Sequence, residues 1–355
     1  TWERIDSSFH RTDVKDIVVE DDEIYVRVGV FEDFKCMDSP NHEFDMNNCA
    51  SVYKSSDMGE TWEQLDVAFA DPSEGSLYVD DYNPDIAYVV FSRKIFRTTD
   101  GGKSWTQFFN THDIPEVPNV GVESLVVGEN SDELYIAGFQ GLWRSDDFGE
   151  HWHPRNKGFI GSEVVDIVKS KDGTIYAGTY TLGMFKSTDN GQSWSFASYG
   201  LENPYVMSIA VNSENVYVTT NGGIYISKDK AKTWQPVGIE SFEQSGHWKD
   251  IAHFHGIDID GDRIYVGGGG DQYTPKGSGI FISEDNGQTW TNSNEGFETD
   301  VHVSKILVSP YDSSIVYATT QGATEFQEKT GKGHGVFISK DYGKSWKKIN
   351  KGLET

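Results

Sequence analysis

Histidines stand out first in this chain because they gather. Of ten, five fall in its later part: His247, His253, His255, His302 and His334. Imidazole nitrogens ligate borderline metals, so His253, His255 and His302 form a candidate site for Zn²⁺, Cu²⁺ or a haem-like group. No His-Glu-x-x-His pair fixes such a site, and loop histidines with ordinary hydrogen bonds are the alternative. Asp271 and Glu325 lie in the same sector. Two such carboxylates can divide the acid and base roles of glycoside hydrolysis, although spacing along the chain does not set their separation in space. Trp248, Tyr273 and Phe326 are aromatic surfaces suited to stacking on a sugar or gripping a protein loop. With the histidines at 253, 255, 302 and 334 they make up the candidate binding set.

Hard oxygen ligands concentrate elsewhere. Asp38, Asn41, Glu43, Asp45, Asn47 and Asn48 share one stretch, where Asp38 and Asp45 are candidate calcium ligands. Cys36 and Cys49 bracket that stretch. A disulfide between them would stabilise the loop by roughly 3 kcal/mol in the chain-entropy view, two free thiols being the alternative. Asp258, Asp260 and Asp262 alternate as in a calcium loop, but Asp260-Gly261 reads more directly as a turn between two strands.

The elements that must position these residues are written in a repeat. Ser/Thr-x-Asp-x-Gly-x-x-Trp occurs at 55–62, 98–105, 145–152, 187–194, 283–290 and 339–346, and a seventh copy at 227–234 has Ala231 in place of the glycine. Its aspartates are Asp57, Asp100, Asp147, Asp189, Asp229, Asp285 and Asp341. Each copy is preceded by a short apolar strand, a polar turn, a strand carrying a tyrosine (25, 88, 135, 176, 217, 265 and 317) and a third strand that runs into the box. The box tryptophan opens a fourth. Four antiparallel strands repeated seven times predict an all-β, seven-bladed propeller with one box in each third-to-fourth-strand hairpin. The expected blades are 13–66, 74–109, 121–155, 163–198, 205–238, 253–293 and 302–350, in a single domain of 1–355.

Within the box, Asp accepts hydrogen bonds from its own turn, Gly supplies positive φ and Trp buries area. These are folding devices, and one tyrosine per blade at fixed register is a packing rule. Residues 1–5 read as an additional outer strand that either closes the ring against the last blade or belongs to a longer chain. Functional difference is sought where the repeat is broken. Insertions occur at 31–50 in blade 1, at 238–254 in the link between blades 5 and 6, at 267–279 in blade 6 and at 319–335 in blade 7. By propeller topology all emerge on the face opposite the boxes, as one wall beside the channel mouth.

Formal charge is −26, which disfavours nucleic acid and anionic lipid as partners. Apolar runs are too short for a membrane helix, so no membrane insertion is expected. The chain contains no Asn-x-Ser/Thr sequon, consistent with a bacterial or archaeal source and an extracellular, periplasmic or surface location.

These residues resemble the Asp-box (BNR-repeat) propellers over nearly the whole chain, a group that includes sialidases, xyloglucan-type glycoside hydrolases, sortilin-like receptors and a photosystem II assembly factor family. The resemblance implies the fold and leaves function to the site. Sialidases would require three substrate-binding arginines, and Arg11, Arg93 and Arg155 do not form a recognisable triad. The xyloglucan-type enzymes take one catalytic carboxylate from each of two propellers, and sortilin-like receptors have more blades. Assembly factors match best in length and blade count, but the basic patch that family uses is little in evidence. The expectation is a binding or assembly propeller for a protein or glycan. The alternatives are a glycosidase with carboxylates at the channel mouth, or a metal-binding propeller.

Overall fold

The computed structural model describes residues 12–20, 23–30, 50–65, 75–80, 82–91, 94–110, 121–138, 141–159, 163–238, 253–269, 279–297, 301–321, 335–351 and 353. They form seven separate four-stranded antiparallel sheets, each a simple meander in chain order. The first strand of every sheet is innermost: Thr12–Glu20, Gly75–Asp80, Val122–Val127, Val164–Lys169, Val206–Val211, His253–Asp260 and His302–Val308. Each packs on the inner strand of the next sheet, and the seventh packs on the first. The result is a seven-bladed β-propeller.

Burial follows position in the blade. Second strands are covered on both faces by neighbouring blades, so Leu134–Gly138, Ile175–Thr179 and Val216–Thr220 are buried at every residue. Strands enclosed in this way read as continuous apolar runs rather than alternating ones. Outer strands such as Glu63–Gln64 and Lys347–Lys348 are only two residues long and exposed, which leaves little open edge for pairing with another chain. The seven repeat tyrosines are all 2 % exposed or less. They belong to the core between blades.

The box works as a local hydrogen-bond knot. In blade 1 the buried Ser55 hydroxyl donates to Asp57 (2.8 Å) and accepts the Gly59 N–H (2.8 Å). Asp57 in turn accepts the Thr61 N–H (2.8 Å). These bonds hold the Asp57 carboxyl down at about 2, the Thr61 hydroxyl being the largest cause. Two successive residues take positive φ, Met58 at 59° and Gly59 at 84°. Two successive positive φ values recur in blade 5 at Lys230 and Ala231, 60° and 57°.

Fourth strands begin one residue after the box tryptophan, not at it. In blades 4, 5 and 7 the tryptophan is bonded to the preceding blade, whereas the Trp105 and Trp290 indoles donate to the Gly102 and Gly287 carbonyls of their own boxes. The N–H groups of Trp194, Trp234 and Trp346 donate to carbonyls of Lys157, Tyr199 and Glu295. Their indoles donate to Arg155, Ala197 and Ser293 of the same blades.

The ring closes by the same device. The Trp62 indole of blade 1 donates to the Ile349 carbonyl of blade 7 (2.6 Å), and one apolar cluster draws Val14, Ile17, Val26 and Trp62 together with Val336, Ile338 and Ile349. Blade 7 supplies its own four strands, His302–Val308, Val316–Gln321, Gly335–Ser339 and Lys347–Lys348. The expected additional strand at 1–5 lies outside the described residues.

Candidate functional site

The inner strands share a register that builds the channel. Before the first buried residue of four successive inner strands stand Glu163, Tyr205, His253 and His302, as the pairings Val164↔Thr179, Val206↔Thr220, Phe254↔Gly268 and Val303↔Thr320 show. These residues mark the mouth on the face opposite the boxes. Each of the four strands then has a one-residue bulge, at Val165, Met207, His255 and Ser304. Bulges re-aim side chains, and here one sets the His255 ring 4.9 Å from that of His302, with planes at 41°.

One residue deeper the channel is girdled by Asp16, Ser76, Ser124, Asp166, Ser208, Gly256 and Lys305, which are equivalent by register. The aspartates clasp the next blade. Asp16 accepts the Leu77 N–H (2.6 Å), and Asp166 accepts the Ile209 N–H (2.8 Å). In blade 6 the inner strand comes so close to blade 7 that a β-carbon on Gly256 would meet backbone atoms of Lys305 and Ile306 at 3.1 Å. The clasp therefore moves two residues on, to Asp258, which accepts the Val308 N–H (2.7 Å). Lys305 pairs with Asp16 and keeps 37 % of its side chain exposed in the channel. Its ammonium is held above the usual lysine range. Burial opposes this, but the Asp16 charge and hydrogen bond outweigh it. Asp166 and Asp258 are both pushed up to about 6 by burial, which the N–H bonds and Lys305 only partly offset. A cavity of about 530 Å³, lined in part by Tyr78, Asp258 and Lys305, opens from the channel beside Ser309 and Pro310 on the box side.

Of the residues expected in the site, the structure brings together His255 and His302, while His253 is placed by its backbone at the entry position equivalent to that of His302. Strict alternation would place residues 253 and 255 on one side of a regular strand, but a bulge interrupts the register between Phe254 and Gly256. Trp248, Asp271, Tyr273, Glu325, Phe326 and His334 lie outside the described residues, as do Asp38, Asp45, Cys36 and Cys49. The strands that border the four insertions end at Val30, Val237, Gly269 and Gln321. Among the described residues no group of three or more His, Cys, Asp or Glu side chains is placed to hold a metal ion. Asp258, Asp260 and Asp262 do not converge. Asp258 serves the clasp, Asp260 lies 3.9 Å from Arg263, and Asp262 accepts the Asn286 amide. Asp260 and Arg263 pair across a tight turn.

Sequence reasoning missed Tyr180 and Tyr205. They sit on the loop-bearing face between blades 4 and 5, 43 % and 40 % exposed, with ring centroids 5.5 Å apart at 72°. The signal was an aromatic at the end of one strand and another just before the next, which is indistinguishable along the chain from core packing.

Comparisons with known proteins follow the fold. Among curated proteins, rat sortilin (Rattus norvegicus) is 23 % identical over 69 % of this chain and 27 % of its own length. The photosystem II assembly lipoprotein Ycf48 of Synechococcus sp. (strain CC9902) is 28 % identical over 53 % of this chain and 51 % of its own. The chain thus spans about a quarter of sortilin and half of that Ycf48. Among solved structures, YCF48 bound to D1 peptide superposes with a TM-score of 0.62 at 15 % identity, covering 93 % of both chains. A xyloglucanase from Xanthomonas campestris superposes at 0.67 and 15 % identity, over 97 % of this chain and 55 % of the enzyme. A BNR-Asp box repeat model matches residues 336–349. The family model described as photosynthesis system II assembly factor YCF48 matches residues 23–322, and the chain belongs to that family.

Proposed function

We propose that this propeller is a binding module that engages a segment of a partner protein at the loop-bearing mouth of its channel. One observation carries the reading. Each aspartate of the channel girdle, and Asp258 below it, is committed to a backbone N–H of the next inner strand. Such carboxylates brace the ring and are poorly placed to exchange protons with a substrate. The mouth above them presents rings instead: His255, His302, Tyr180 and Tyr205. Membership of an assembly-factor family supports the reading, as does a relative whose structure holds a D1 peptide. The lipoprotein name of the Synechococcus relative supports an extracytoplasmic location.

The second reading is a glycoside hydrolase using Asp271 and Glu325, supported by the fold shared with xyloglucanases. Selection of phage-displayed peptides on the intact chain, with an assay for sugar release from xyloglucan alongside, separates the two. The expected result is a set of selected peptides whose affinity falls at least about fivefold in His255→Ala/His302→Ala, the effect of losing about 1 kcal/mol at an interface. Sugar release that disappears in Asp271→Asn or Glu325→Gln, with no peptide enriched, would replace the binding reading by the enzymatic one.

A further inference from the structure

Glu163, Tyr180 and Tyr205 form an acidic aromatic corner of the mouth. Glu163 stands directly across the ladder from Tyr180, whose N–H donates to its carbonyl (3.0 Å). Residues opposite one another in this way have β-carbons about 5 Å apart. The two tyrosines present an edge-to-face pair on a fixed backbone. The Tyr205 N–H donates to Asn203 (2.9 Å), its carbonyl accepts the Asn221 N–H (3.1 Å), and the neighbouring Pro204 carbonyl accepts the Gly183 N–H (3.0 Å). A backbone fixed in this way loses little entropy when something stacks on the rings it carries.

The electrostatics have one sign. The described residues of these loops, 163, 180–182, 201–205 and 221–222, include Glu163 and the exposed Glu202 but neither lysine nor arginine. The Glu163 carboxylate makes no hydrogen bond or ion pair among the described residues, and burial alone pushes its carboxyl up. A half-buried carboxylate without a cation, beside two exposed π faces, is the complement of a planar cation. A guanidinium can stack on a tyrosine face within about 6 Å and still turn its N–H fork to a carboxylate.

We propose that Tyr180, Tyr205 and Glu163 receive an arginine side chain of the partner segment. This rests on the reading that the mouth binds a protein, and it specifies the chemistry of that protein as cationic. A chain of net charge −26 would also draw such a segment in by long-range attraction.

Fluorescence polarisation at low salt tests the proposal with a labelled Gly/Ser peptide carrying spaced arginines, and with its citrulline twin, which keeps the shape and loses the charge. The arginine peptide is expected to bind, and the citrulline peptide to bind at least about fivefold more weakly, as loss of a cation–π contact and an ion pair requires. Tyr180→Ala/Tyr205→Ala should weaken the arginine peptide about tenfold without altering net charge, whereas the double Phe variant should retain binding because the ring faces remain. Glu163→Gln should cost about threefold. Attraction to the acidic surface in general would survive the tyrosine substitutions, so equal binding by the Ala variant overturns the proposal, as does equal affinity for the two peptides. The partner reading is judged separately by the phage selection. Selected peptides that depend on His255 and His302 but contain no required arginine would leave that reading standing and remove this one.

Discussion

Six Asp boxes place a glycine where blade 5 places Ala231, and the two solutions differ in what they cost. The glycine has positive φ and is also crowded. A β-carbon on Gly149 would stand 2.4 Å from Cε2 of Phe108 in the preceding blade, and Gly149 has φ of 89°. Ala231 holds φ of 57° and is fully buried, so its blade accommodates the methyl. Gly149→Ala is therefore expected to destabilise by about 3 kcal/mol, combining the left-handed penalty of about 1–2 with overpacking of about 1–3. Ala231→Gly should fall within about 1 kcal/mol of neutral, because relieved backbone strain offsets a lost buried methyl of about 0.8. Urea unfolding checks both, and equal effects would mean that the box glycine is a matter of φ alone. The box was legible in the sequence because its bonds run between residues two to four apart. Asp16, Asp166 and Asp258 were not legible as clasps, since the N–H groups they hold lie 43 to 61 residues away.

At the scale of the element, the inner strand is where sequence and structure diverge most usefully. Its apolar character and equivalent entries at His253 and His302 could be read directly, whereas the bulge that turns His255 toward His302 could not, because alternation assumes a regular strand. The same strands set a pH dependence. Asp166 and Asp258 titrate at about 6 in the fold, against an ordinary 3.8. A raised carboxyl pKa means that the folded state binds the proton more tightly, so this stabilisation is full below about pH 4 and is lost as pH rises through 6. Box aspartates such as Asp57, Asp100 and Asp147, held near 2, act in the opposite sense. Their contribution is present above about pH 4 and disappears as pH falls through 2. The melting temperature is expected to peak near pH 4–5 and decline toward pH 7.5. Asp166→Asn/Asp258→Asn keeps an oxygen acceptor for each N–H and should flatten that upper limb. The two shifts have a ceiling of about 3 kcal/mol each. Discounted for solvent in the channel, the double variant should gain about 2 kcal/mol at pH 7.5, a few degrees in Tm. An unchanged slope between pH 5 and 7.5 would show that the girdle carboxylates are not its source.

For the whole molecule, the question is what holds blade 7 to blade 1, the two blades furthest apart in the sequence. Among the described residues two ion pairs cross this seam. Lys305 meets Asp16 in the channel, where the Asp16 side chain is 4 % exposed. Lys347 meets Glu60 at the rim (2.9 Å), with side chains 67 % and 59 % exposed. The Ser304 hydroxyl adds a bond to the Val14 carbonyl (3.1 Å), and Trp62 adds its bond to Ile349. Repeat spacing revealed that seven blades must meet, but not how, because the contacts join residues 287 to 290 positions apart. Physical placement ranks the two pairs. An exposed pair contributes about 0–1 kcal/mol, whereas removing the cation from a buried carboxylate costs several. Solvent at Lys305 reduces that cost. Lys305→Met is expected to destabilise by about 2 kcal/mol, and Asp16→Asn in the same chain should restore about 1–2 of it as a coupling energy. Lys347→Ala should cost at most about 0.5 kcal/mol. The seam should also be the first place where the ring opens, so amide exchange in Thr12–Glu20 and His302–Val308 should accelerate together in Lys305→Met while the strands of blade 4 remain protected. If Lys347→Ala instead opened those two strands, closure would reside at the rim, and the channel girdle would be a lining rather than the clasp of the ring.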